Sequence, residues 1–181
     1  MPSRPEILFP LFGQLTQFTG IGPKIAINLS KLNINSPRDL LFTLPHSLLI
    51  RNKIETVLDA INNDIIIIEI IVDEHLENQQ KNRPYKINVS DAKASFQLVF
   101  FHARKNWLWD LFPIGEKVLI SGKLEYFDGK AQITHPDYVF KPGNEEQIPT
   151  LEPIYSLSAG VTQKTLSKAT RYALNQLRMI S

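Results

Sequence analysis

Two adjacent phenylalanines lead into two basic side chains, a histidine and a tryptophan in the stretch Phe100-Phe101-His102-Ala103-Arg104-Lys105-Asn106-Trp107. A flat ring beside positive charge is what an unpaired nucleobase needs: an apolar face to stack on and a counterion for its phosphate. Whether Phe101 offers such a face depends on where its neighbour points. Along Ser95–Phe101 an extended chain puts Phe96, Leu98 and Phe100 on one side, so Phe101 breaks the alternation and falls at the strand end. The competing reading is that Phe101 caps a core from outside and the cations only solvate a helix start.

The surrounding pattern is that of a small barrel. In Tyr85–Ser90 and the residue after it, Ile87, Val89 and Asp91 alternate with Lys86, Asn88 and Ser90, and Asp91-Ala92-Lys93-Ala94 suits a tight turn. Upstream, Asp64–His75 is rich in isoleucine, which favours a strand. It has Ile66, Ile68, Ile70 and Val72 on one face, with Ile65, Ile67, Glu69, Ile71 and Asp73 on the other. That second, partly apolar face calls for a cover, most simply the amino-terminal helices. Glu77–Pro84 is polar throughout and reads as a flexible loop. Lys105–Phe112 reads as a short helix, followed by strands Val118–Phe127 and Lys130–Phe140 around the hairpin signal Asp128-Gly129. Five strands with a helix between the third and fourth give the order of an OB-fold, a closed barrel filled by side chains. Such barrels bind single-stranded nucleic acid or oligosaccharide across strands two and three and in nearby loops. Here those places hold Arg83, Tyr85, Lys86, Asn88 and Phe101.

Ahead of the barrel, Ile7–Leu49 reads as helical, with Leu8, Leu11, Phe12, Leu15 and Phe18 at helix spacing and Pro10 as a kink or boundary. The turn Thr19-Gly20-Ile21-Gly22-Pro23-Lys24 has glycines free to take positive φ and a proline suited to a first helical position. It resembles the hairpin of helix-hairpin-helix DNA-binding motifs, whose free N–H groups can hold a phosphate, with Lys24 adding charge. Equally, it is a plain hairpin with Ile21 as a core plug. Ser36, Pro37 and Asp39 mark the start of a second helix. After a linker at Lys141–Thr150, Thr162–Leu177 is amphipathic. Leu166, Ala169, Tyr172, Ala173 and Leu177 lie on one side, with Lys164, Lys168 and Arg171 elsewhere. The expected class is therefore α+β: a helical amino-terminal subdomain (1–53), a five-stranded OB-fold barrel (54–142), and a linker with a helix (143–181).

Composition narrows the function. The 181 residues carry 20 Lys plus Arg against 18 Asp plus Glu, a net charge of +2, so nucleic-acid affinity has to come from local clustering. There is no cysteine, which excludes disulfides and thiolate sites, and the four histidines lack ligand spacing. The run around Ile65–Val72 is too short to span a bilayer, and the amino terminus lacks a secretory pattern. A monomer in the cytoplasm is expected. No G-x-x-x-x-G-K-[ST] phosphate loop is present: Ala159–Thr165 has Lys164-Thr165 but not the first glycine at the required spacing. Asp73, Glu74, Glu77 and Asp91 have no partner at a catalytic spacing.

Four segments in order, LTQFTGIGPKIAINLSKLNINSPRDLLFTLPHSLLIR, LVFFHARKNW, THPDYVF and LEPIYSLSAGVTQKTLSKATRYAL, resemble the amino-terminal wedge region of the RecG family of ATP-dependent DNA helicases. The most specific pieces are Gly20–Lys24 followed by Asp39–Phe42 and Leu44-Pro45, then His135-Pro136, then Pro153-Ile154-Tyr155 with Gly160, Gln163 and Lys164. The resemblance implies a module that acts on stalled forks and Holliday junctions, with an OB-fold splitting the arms while motor domains pull the duplex. It implies branched DNA and the protein's own carboxy-terminal motor domains as partners. ATP and Mg2+ would be used by the parent protein, with no cofactor in this fragment. Phe101 matches the aromatic that stacks on the first unpaired base. For a second aromatic on the other strand Trp107 is the candidate, although Lys105 stands nearer in simple count. His102, Arg104, Lys105, Arg83, Tyr85, Lys86 and Lys24 complete the expected DNA contacts. Two other readings stand beside it: a general single-strand or tRNA-binding OB module, and a barrel that docks a protein on the Ile65–Ile71 face.

Overall fold

A computed structural model of the chain describes residues 5–76, 83–157 and 159–178. They form two compact units, one from residues 1–48 with 153–181 and one from residues 49–152. In chain order the helices are α1 (Pro23–Ser30), α2 (Pro37–Phe42), α3 (Lys105–Leu111) and α4 (Gln163–Arg178). The barrel strands are β1 (Ile65–Leu76), β2 (Tyr85–Ser90), β3 (Ser95–Phe100), β4 (Lys117–Phe127) and β5 (Lys130–Thr134).

The second unit is the OB-type barrel. Its ladder runs β1-β2-β3-β5-β4, and β4 returns to β1, which closes the sheet. Neighbours are antiparallel except β3 and β5, which run parallel. Period-two alternation fills the inside: Ile66, Ile68, Ile70 and Val72 of β1 meet Ile87, Val89, Phe96, Leu98, Phe100, Ile120, Leu124 and Ile133 in one buried cluster. Leu108 and Phe112 of the α3 region belong to the same cluster, so the helix plugs the barrel. Gly122 on β4 is needed for closure: a Cβ there would lie 2.5 Å from Ile133 Cγ2 and 3.3 Å from Pro136 Cα. Asp128 and Gly129 turn β4 into β5 with φ of 51° and 72°, the two-residue hairpin expected from their types.

The Asp91 turn is held by its own carboxylate. Its oxygens accept the N–H groups of Val57, Lys93 and Ala94, each at 2.8 Å. Burial alone would raise this carboxyl. The N–H groups of Lys93, Val57 and Ala94 and the Thr56 side chain outweigh that and hold it below its ordinary value.

Two expectations for the barrel are corrected. The fifth strand ends at Thr134, because His135 takes φ 48° and Pro136 has no N–H to give the ladder. The chain resumes as a short strand, Tyr138–Phe140, against Leu119–Ser121 of β4. The second face of β1 is covered within the unit by the linker: Ile67 packs with Leu119 and Ile148, flanked by Tyr138 and Phe140, while Ile71 stays 40% exposed. A linker isoleucine and two aromatics thus do what was expected of the amino-terminal helices. Buried Arg51 ties the ends of this unit, pairing with Glu152 at 2.9 Å and Asp137 at 3.3 Å. Most of the expected Glu77–Pro84 loop lies outside the described residues.

In the first unit, α4 supplies Leu166, Ala169 and Ala173 to a core with Leu15, Phe18, Ile21, Leu29, Ile34 and Leu40. The two units are therefore drawn differently from the three-part division read from the sequence, since an amphipathic helix buries its apolar side on the nearest unpaired apolar surface. Leu177 stays 43% exposed in the last turn of α4. The helical reading of Ile7–Leu49 is corrected in part: Pro23–Ser30 and Pro37–Phe42 are α-helices, but the flanking segments are not. Glu6–Phe12 and Leu15–Gln17 are 3-10 turns, broken by Gly13 and Gln14, and Ser47–Ile50 is extended. Pro10, Pro23, Pro37 and Pro45 interrupt any longer helix. The second helix start is as read: Asp39 Oδ2 accepts the N–H groups of Asn35 and Ser36 at 2.9 Å and the Ser36 hydroxyl at 3.0 Å. No helix among the described residues is long and apolar enough to cross a membrane.

Candidate nucleic-acid interface

β3 ends by sending its two phenylalanines in opposite directions. Phe100 is 3% exposed, with Phe112 at 5.6 Å between ring centroids. Phe101, one residue past the strand, is 48% exposed. The ladder stops at the pair Tyr85↔Phe100, so the Phe101 N–H has no strand partner in that pairing. It donates instead to His135 Nε2 at 3.0 Å. His135 is placed by its own N–H, which donates to Val99 O at 3.0 Å just where β3 and β5 part. Its ring meets Phe100 edge-on at 5.6 Å and lies 5.9 Å from the Phe101 ring.

Beyond Phe101 the chain turns sharply at His102, whose φ is 58°, and enters α3. His102, Arg104, Lys105 and Trp107 are exposed along this turn and the first turn of the helix. Trp107 is 53% exposed. The structure thus brings one open ring, an imidazole, two basic side chains and an indole to one end of the barrel. Tyr85 and Arg83 belong to the same end by register, since Tyr85 stands opposite Phe100. Arg83 is exposed, whereas Tyr85 is half-buried and its hydroxyl bonds His75 Nδ1 at 2.9 Å. His75 Nε2 in turn lies 2.7 Å from Phe112 O, so that nitrogen donates and Nδ1 accepts the tyrosine O–H. Trp109 stacks on His75 at 4.3 Å. These contacts clamp α3 to β1 and β2, and so fix where Trp107 is carried.

Lys86 is not part of that cluster. Its ammonium bonds Gln97 Oε1 at 3.2 Å on the outer side of β2 and β3. There Gln97 bonds Asn88 at 3.0 Å, and Ser90 bonds Asp73 at 2.8 Å. A groove of about 580 Å³ runs beside this ladder, and Asp73 and Glu74 line it. Lys24 is exposed in the first unit on α1. In its turn Gly20 has φ 91°, while Gly22 is extended at φ −81°, so only one of the two glycines uses the left-handed region. Ile21 is 5% exposed and acts as the core plug.

Sequence reasoning missed His135 and Trp109. His135-Pro136 marks the end of β5, but nothing local says that its ring reaches back 34 positions to Phe101. Trp109 was given no role from the sequence; its stack on His75 of β1 supplies one. Among the described residues no cluster of acids and histidines could hold a metal ion. The arrangement offers stacking surface and positive charge.

The RecG wedge domain model matches residues 15–177. The ATP-dependent DNA helicase RecG of Pasteurella multocida is 32% identical over 169 residues, 92% of this chain and 24% of that protein. That of Haemophilus influenzae is 31% identical over 163 residues, 88% of this chain and 23% of that protein. The chain thus spans about a quarter of the length of the curated relatives it matches. A solved structure of RecG bound to a three-way DNA junction shares the fold, with a TM-score of 0.69 at 21% identity over 89% of this chain and 22% of that one. A model match over most of the chain, a relative at this identity and a shared barrel agree, and the chain belongs to the RecG wedge domain family.

Proposed function

We propose that this chain is the branched-DNA-binding wedge of an ATP-dependent helicase that remodels stalled forks and Holliday junctions. The observation that carries the reading is the half-open Phe101 ring at the barrel end, with its neighbour Phe100 buried. Phe101 stacks on the first unpaired base of a parted strand, and Trp107 meets the other strand. His102, Arg104, Lys105 and Arg83 hold phosphates near the branch. Lys24 in the first unit and Lys86 on the outer side of β2 add further positive charge. ATP and Mg2+ act in the motor domains of the longer protein, which works as a monomer in the cytoplasm. The relatives' name, ATP-dependent DNA helicase, and the quarter of their length spanned here support this division of labour.

A general single-strand module is less well supported. The outer side of β2 and β3 mixes Asp73 and Glu74 with Lys86 and Lys130, so it lacks the run of positive charge that a phosphate chain laid across it needs. Competition separates the two readings. A three-way junction should displace a labelled fork far better than an unstructured oligonucleotide of equal length. Equal displacement by both would favour the general module.

A further inference from the structure

We propose that His135 is a positioning residue that holds Phe101 in its stacking direction; this rests on the wedge reading above. Phe101 stands outside the strand ladder, and its N–H is anchored only by the bond to His135 Nε2 among the hydrogen bonds described for that atom. The imidazole also fills the space between the buried and the open phenylalanine, edge-on to Phe100 and tilted 38° to Phe101. Two non-glycine residues flank the arrangement in the left-handed region, His135 at φ 48° and His102 at φ 58°. That conformation is unfavourable for a side-chain-bearing residue, and just before a proline the backbone is restricted further. Such outliers persist where the surroundings hold them and cluster at binding clamps. Here the β5 end is bent so that an acceptor from position 135 meets a donor at position 101.

The chemistry is specific. To accept from the amide, Nε2 must carry no proton, so the neutral ring is protonated on Nδ1. Leucine would fill the space without accepting. Glutamine reaches a similar place with a carbonyl oxygen.

Two measurements on the full chain test this. Nitrogen-15 shifts of the His135 ring at neutral pH are expected to show the Nδ1-protonated form, with slowed exchange of the Phe101 amide. A ring protonated on Nε2, or a freely exchanging amide, overturns the proposal whatever the chain does with DNA. The second uses a three-way junction carrying a fluorescent adenine analogue at the first unpaired position. His135→Leu should weaken binding about five- to tenfold and reduce the change in fluorescence, the scale of one lost hydrogen bond. His135→Gln should restore binding to within about threefold of the parent. The double variant Phe101→Ala/His135→Leu should bind no worse than Phe101→Ala, because His135 acts through that ring. Additive losses, with thermal unfolding unchanged in each single variant, would mean that His135 contributes separately and the positioning role is wrong. If Phe101→Ala alone has no effect, the stacking reading itself falls, a different failure from additivity.

Discussion

Replacing Phe101 with alanine tests the wedge reading most directly. A phenylalanine presents about 200 Å² when free, and 48% of this one is open, so about 100 Å² is available to a base. At about 25 cal/mol per Å² that surface is worth about 2.5 kcal/mol, within the range of about 1–3 kcal/mol measured for one stacked base. Phe101→Ala should therefore raise the Kd for a three-way junction between about fivefold and 150-fold at fixed salt. Linear duplex has no unpaired base at a branch, so its much weaker binding should change little. The fold should be unaffected, because Phe101 lies outside the buried barrel cluster. Anisotropy titration of a labelled junction and of a matched duplex, with thermal unfolding as a control, measures all three quantities. Junction binding within twofold of the parent would refute the reasoning, and so would an equal loss on duplex.

Four further outcomes are expected. Trp107→Ala should weaken junction binding with little change in stability, whereas Trp109→Ala should lower the unfolding temperature because it removes the stack on His75; calorimetry beside anisotropy separates them. Arg104→Ala and Lys105→Ala should each reduce the slope of log K against log salt by about 0.7–0.9, if each neutralises one phosphate. Asp91→Ala should cost about 2 kcal/mol at neutral pH, because three N–H groups lose a charged acceptor. The Asp91 carboxyl is held low in the fold, so its contribution is present above the unfolded carboxylate range and is lost as pH falls through the folded value; acid titration of parent and variant should converge there. Gly160→Ala should destabilise the first unit by about 1–3 kcal/mol, since φ is 86° and a Cβ would collide with the Asn28 side chain; amide exchange should show the barrel protected as before.

Legibility in the sequence followed the range of the interactions involved. The barrel was readable because period-two alternation and the Asp128-Gly129 turn are local, and both appear at the expected positions. Phe101 was readable as exposed because its neighbour could not share a side with it, and it is. The fifth strand was read too far along, because alternation carries through to Val139; Pro136 was the local signal against it, and the left-handed His135 completes the break. The cover over Ile67 was assigned to the wrong partner, since a polar, proline- and glycine-containing linker does not advertise that Ile148 will fold back. At the candidate interface, side chains next to one another in sequence were found; the support from His135 and His75 was not, because each acts across distant strands.

The first unit is assembled from both sides of an insertion: Leu15, Phe18, Leu29 and Leu40 are sealed by Leu166, Ala169 and Ala173, with the whole barrel coming between them in the chain. During synthesis the early apolar side chains must wait more than a hundred codons for their lid, while the barrel can finish as soon as its own last strand leaves the ribosome. A truncation that stops short of the lid would leave a well-formed barrel trailing a sticky, unfinished head. Joining residue 48 directly to residue 153 would instead bring the early and late halves next to each other in the chain, and so let the head close without waiting for the barrel.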